Sequence, residues 1–149
     1  MKHCHDRKIL HRDLKCENIY LTSYDGVKLG DFGVSFAQEK TDAKAITRTG
    51  TPYYHSPEMI KGAPYGAEND IWCLGVILYE LCILEPPFQG KAVDDLYANV
   101  MDLKFVKLIP ERFSENIKYL IENLLVIDQK KRLTINQILK EVPFIHEYA

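Results

Sequence analysis

The chain has 149 residues, enough for one domain with its own core. Its 46% hydrophobic and 27% charged content is that of an ordinary globular protein, and a net charge of −2 leaves no broad basic footprint, which argues against nucleic acid as a partner. The four cysteines, Cys4, Cys16, Cys73 and Cys82, form no C-x-x-C pair and no dense pattern, so they read as reduced thiols of an intracellular protein rather than a disulfide scaffold.

In chain order, residues 1–7 carry no apolar stretch of the kind export needs. Ile9-Leu10, Ile19-Tyr20-Leu21 and Val27-Lys28-Leu29 are apolar pieces of strand length, and Ser23-Tyr24-Asp25-Gly26 is turn chemistry between the last two. Residues 35–50 turn polar and read as a long exposed loop, of the length that usually serves function. Asn69 is placed to cap a helix over 70–81 that is apolar on nearly every face, hence central to the domain, and Pro86-Pro87 stops it. The apolar run 71–84 spans 14 residues, short of the ~20 needed to cross a bilayer, so no membrane span is expected. A helix is predicted over 92–101. Ser114 is placed to cap another, whose Ile117, Leu120, Ile121, Leu124 and Leu125 repeat on one face. Thr134 and Gln137 fit a capping box before Ile138 and Leu139.

The chemistry-bearing pattern is His11-Arg12-Asp13-Leu14-Lys15-Cys16-Glu17-Asn18, then Asp31-Phe32-Gly33, then, past the polar loop, Ser56-Pro57-Glu58. Phosphoryl transfer to a hydroxyl needs a carboxylate at the nucleophile, a cation on the phosphates and hard oxygen ligands for Mg²⁺. Asp13 is the candidate base, Lys15 the candidate cation, and Asn18 and Asp31 the candidate metal ligands. Gly33 allows the backbone to turn after Asp31 and Phe32.

With these motifs, in this order and spacing, the sequence resembles a protein kinase catalytic domain, an α+β fold. The resemblance covers essentially all of residues 1–149 and corresponds to the mainly α-helical C-terminal lobe with short strands around the catalytic loop. Residues 11–18 match the catalytic loop and residues 31–58 the activation segment. Lys15, two residues after Asp13, matches the serine/threonine branch, and Gly30, the run Gly50-Thr51-Pro52-Tyr53-Tyr54 and Ser56-Pro57-Glu58 resemble the NIMA-related kinases. The resemblance implies transfer of the γ-phosphoryl group of ATP, with Mg²⁺, to serine or threonine hydroxyls of protein substrates, in the cytoplasm or nucleus. It further implies that Lys15, Asn18, Tyr20 and Asp31 contact the nucleotide, with Tyr20 under the adenine ring, and that Asp70 braces the catalytic-loop backbone. Glu58 and Arg132 match a buried ion pair, and His11 and Phe32 match members of a regulatory stack. Thr51 matches the substrate-contacting loop, and Thr47 matches the activating phosphosite, with Arg12 as partner for the phosphate and Thr49 as its rival. Cys16 stands where many relatives have Pro and reads as an inert thiol, while His3 and His5 lack the companions a metal site needs.

Residues 1–149 contain no Gly-rich phosphate loop and no Val-Ala-x-Lys strand lysine. The expectation is a chain lacking the N-terminal lobe and inactive by itself. The alternative is a non-catalytic lobe acting as a binding or decoy module.

Overall fold

The computed structural model describes residues 1–24, 26–32 and 52–141. Gly33, the polar loop with Thr41, Thr47 and Thr49, and Thr51 lie outside them. The element order is α1 (Lys2–Asp6), β1 (Ile19–Leu21), β2 (Val27–Leu29), α2 (Pro57–Ile60), α3 (Ala67–Ile83), α4 (Val93–Met101), α5 (Glu115–Leu124) and α6 (Ile135–Glu141), with short 3-10 turns at Cys16–Asn18, Pro52–Tyr54 and Gln129–Lys131. Helices dominate, and the sheet is one antiparallel pair with Ile19 opposite Leu29 and Leu21 opposite Val27. Two of the three predicted strands therefore pair. Ile9-Leu10 does not extend into a third: Lys8 takes a positive φ of 59°, and the Ile9 amide turns back to the Cys4 carbonyl at 2.9 Å. Only an isolated bridge at Ile9 remains.

The central helix is α3. It begins three residues earlier than the predicted 70, at Ala67 after Gly66, and Asn69 does not cap it. The Asn69 side chain is spent elsewhere: its Oδ1 accepts from the Ser56 hydroxyl at 2.8 Å, while Ala67 and Glu68 are good helix formers that extend the first turn. Leu84 closes the helix in the left-handed region (φ 62°), its amide on the Glu80 carbonyl at 2.7 Å, just ahead of Glu85 and the two prolines. Ile71, Trp72, Cys73, Val76, Ile77, Tyr79 and Cys82 are buried along it, so nearly all of its circumference meets protein.

The periodic face of α5 packs on α3, with Leu120, Ile121 and Leu124 buried, and Leu125 joins them just past the helix end. Ser114 occupies the N-cap position, yet it is its backbone carbonyl, not its hydroxyl, that accepts from Ile117 at 3.0 Å. At α6 the capping box is formed: Gln137 Oε1 accepts from the Thr134 amide at 2.8 Å and Thr134 Oγ1 from the Gln137 amide at 3.3 Å. Ile138 then joins Ile71, Leu120 and Leu124 in a second apolar cluster beside the main core.

Gly75 permits the close approach of α3 and α5. A Cβ there would lie 2.8 Å from Leu125 Cδ2 and 2.9 Å from Leu124 Cβ, the latter fixed to a helix backbone. Gly75→Val is expected to overpack this junction and cost about 1–3 kcal/mol, read as a lower urea midpoint at unchanged slope.

Candidate active site

The backbone of His11 and Arg12 is positioned by one carboxylate on α3. Asp70, fully buried, accepts from the His11 amide at 3.0 Å through Oδ2 and from the Arg12 amide at 3.0 Å through Oδ1. Its Oδ2 also meets His5 Nε2 of α1 at 2.9 Å. Arg12 is held at φ 67°, a conformation costly for a residue with a side chain, and the bond to its amide holds it there. Next to it, Leu14 is buried and anchors the loop in the main core.

The chemistry-bearing side chains follow from that turn. Lys15 Nζ pairs with Asp13 Oδ2 at 2.9 Å, both groups being partly exposed. Asn18, buried at the end of the 3-10 turn, donates through Nδ2 to the Asp13 carbonyl at 2.8 Å and contacts Asp13 Oδ2 at 3.3 Å. That commits the amide nitrogen to Asp13 and leaves Oδ1 as the acceptor for another partner. The hairpin brings the next group in: with Ile19 opposite Leu29, Asn18 and Gly30 face each other at its open end, and the Gly30 amide donates to the Asn18 carbonyl at 2.9 Å. Asp31 follows directly, exposed and at φ 56°.

Electrostatics tie Lys15 to the acidic groups around it. The Asp13 carboxylate raises the Lys15 ammonium above its usual range, against partial desolvation, with further raising contributions from Glu17 and Asp31. The structure therefore brings Asp13, Lys15 and Asn18 together and sets Asp31 at the adjoining end of the hairpin, within electrostatic reach of Lys15. As a donor set, the Asn18 amide oxygen and the Asp31 carboxylate are hard oxygens of the kind Mg²⁺ takes alongside phosphate and water, and they fit that ion. Tyr20 is half exposed on β1, and its ring lies against Gly30. The His11 ring contacts Phe32 with centroids 4.7 Å apart, and its Nε2 is 2.9 Å from the Gly30 carbonyl.

The far side of the unit is fastened by a second buried carboxylate. Glu58 of α2 receives Arg132 bidentately, Nη1 at 2.7 Å and Nη2 at 3.0 Å, with both side chains almost wholly buried. Arg132 also donates to the Val126 and Glu68 carbonyls and stacks over Trp72.

These contacts fix the arrangement of residues 11–18. Residues 1–145 match the protein kinase domain model. The chain belongs to the protein kinase family. It is 44% identical over 146 residues to serine/threonine-protein kinase Nek5 of Homo sapiens, covering 97% of this chain and 20% of that one. It is 40% identical to Nek1 of Mus musculus over 141 residues, 95% of this chain and 12% of that one. Against Homo sapiens Nek2 the figure is 39% over 145 residues, 94% and 32% of the respective chains. This kinase-family chain thus spans a third or less of the relatives named.

Two features of this kinase-family site escaped the reading of the sequence. His5 was weighed only as a metal ligand, whereas its ring serves Asp70, 65 residues away. Tyr54 donates its hydroxyl to Glu80 Oε2, and Cys16 Sγ sits 3.4 Å from the same oxygen. The signal was there, since Glu80 is the one acid inside the apolar run 71–84. Burial first, and then the Glu80 charge, push the Cys16 thiol up despite an opposing contribution from Tyr54, so it is a poor nucleophile. Burial and Glu80 likewise raise the Tyr54 phenol.

Two outcomes test this geometry. Asp70→Asn is expected to lower hydrogen-exchange protection at the His11 and Arg12 amides by at least about tenfold, since each bond to a carboxylate contributes about 1.5–3 kcal/mol. Lys15 titrates above the ordinary lysine range, so the favourable contribution of its pair with Asp13 is complete below that range and fades as pH rises through the elevated value. In ¹⁵N-detected titrations, Asp13→Asn is expected to bring the Lys15 pKa down.

Proposed function

We propose that this chain supplies the catalytic-loop half of a protein serine/threonine kinase of the Nek type. The observation that carries the reading is that Asp13 lies within hydrogen-bond reach of both Lys15 and Asn18, with Asp31 at the adjoining hairpin end. Asp13 orients the substrate hydroxyl and takes its proton. Lys15 places positive charge beside the group being transferred. Asn18 Oδ1 and Asp31 would hold Mg²⁺, and Tyr20 would lie under the base. MgATP, when bound, supplies the phosphoryl group and neutralises its charge. Asp70, His5 and the Glu58–Arg132 pair keep these groups in register, and Thr51 meets the protein substrate. A phosphate on Thr47 would add about two negative charges and draw on Arg12.

The 149 residues hold no Gly-rich loop and no strand lysine, so the nucleotide is covered by a second lobe, and the polypeptide by itself does not turn over ATP. The second reading is a lobe that binds kinase partners or substrates without chemistry.

Fused behind the ATP-holding lobe of a Nek relative, the chain is expected to phosphorylate Ser/Thr peptides, and Asp13→Asn to lower kcat at least about 100-fold. A folded fusion that binds peptide but transfers no phosphate favours the second reading. Mass spectrometry of the active fusion should find phosphate on Thr47, and full activity with Thr47 unmodified rejects that site.

A further inference from the structure

At the C-terminal end of α3 stand two leucines that the fold does not bury. Leu84 is 84% exposed and Leu108 is 89% exposed. Leu84 also lies in the left-handed region at φ 62°, where glycine is the favoured residue, so an apolar side chain is kept there with no burial to offset the strain. Both leucines sit on a braced platform. The Val106 amide donates to the Pro87 carbonyl at 2.9 Å. The hydroxyl of the buried Tyr79 holds both backbone groups of Lys107, donating to its carbonyl at 2.7 Å and accepting from its amide at 3.1 Å. Lys107 Nζ pairs with Glu85 Oε1 at 2.5 Å, so residues 106–108 run back along residues 84–87 and carry Leu108 toward Leu84. From behind, Phe105 stacks on Tyr79 with centroids 5.6 Å apart and meets Phe88 at 5.1 Å. A single exposed leucine is ordinary, but two on one braced platform, one of them in a conformation that disfavours it, mark a contact surface.

The charges beside the leucines select the occupant. Glu85 and Lys107 pair with each other, yet 40% and 55% of their side chains stay exposed, so each has room for a second partner of opposite sign. One acid and one base beside two apolar side chains make a surface complementary to itself. Turned about a two-fold axis, Lys107 of one copy faces the partner's Glu85, and leucine faces leucine. We infer that the face formed by Leu84, Glu85, Lys107 and Leu108 is a self-association surface through which two copies of this chain pair. A partner of uniform charge would repel one of the two ions, and a wholly apolar one would strip water from both without replacing it. None of the four residues belongs to the groups assigned to phosphoryl transfer, so the pairing stands apart from that reading. Two leucines and an ion pair per copy fall short of the about 1,200 Å² of a stable interface, so the pairing is weak, with a dissociation constant on the order of 10⁻⁴–10⁻³ M.

The test follows translational diffusion and amide line widths of the 149-residue chain by NMR from about 0.05 to 2 mM, the range in which so small an interface fills. The wild type is expected to diffuse more slowly as concentration rises, with the shifts confined to the amides around residues 84–85 and 107–108. Leu84→Gly removes the apolar side chain and relieves the strained backbone. It is expected to unfold at the same temperature or higher and yet to pair at least about tenfold more weakly, because a two-fold axis makes each substitution count twice. Glu85→Lys alone and Lys107→Glu alone set like charges across the axis, and each is expected to weaken pairing. Mixed in equal amounts, the two variants present two cations on one copy and two anions on the other, and they are expected to pair with each other at least as tightly as the wild type does with itself. That rescue between two copies is a result that damage within one fold does not produce. Diffusion of the wild type that does not change with concentration overturns the inference. So does pairing unaltered in Leu84→Gly, or a mixture of the charge variants that pairs no better than either alone.

Discussion

The arrangement depends on a carboxylate that never meets solvent. Asp70 sits in the first turns of α3 and spends its two oxygens on the backbone amides of His11 and Arg12 and on the ring of His5. A buried charge without partners is costly, and here three donors surround it. The return is geometric: Arg12 is kept at a positive φ, and that turn leads into Asp13, which meets both Lys15 and Asn18. The core helix and residues 11–12, nearly sixty residues apart in the chain, are thereby tied together.

Further polar links repeat the device around α3. Glu58 and Arg132 join α2 to the segment after α5, and Ser56 reaches Asn69. Tyr54 reaches Glu80 farther along the same helix. A buried ion pair is weak evidence of stability, because desolvation consumes much of its attraction. What such pairs supply is direction, since a bidentate guanidinium–carboxylate contact admits one orientation where apolar packing admits several. The residues on either side of the polar loop are thus tied to one helix, the catalytic loop near its start and Tyr54 near its far end.

The local signals in the sequence were reliable where a single stretch decides its own structure. The Thr134–Gln137 capping box, the apolar face of α5 and the strands Ile19-Tyr20-Leu21 and Val27-Lys28-Leu29 all formed as read. The reading failed where a residue's best partner lies elsewhere. Asn69 is a good N-cap by type but serves Ser56 instead, and Ile9 is a good strand residue but turns back to Cys4. Neither choice is visible in the residue type, because alternative bonds compete for the same polar atom.

By itself the sequence determined the family and the order and spacing of its motifs, because those are properties of adjacent residues and of their spacing. Only the tertiary structure decided that His5 belongs to Asp70, that Cys16 faces Glu80, and that Gly30 makes room for the ring of Tyr20. Each of these is a contact between side chain or backbone atoms that folding brings within a few ångströms, and such proximity leaves no mark in the pattern of either partner.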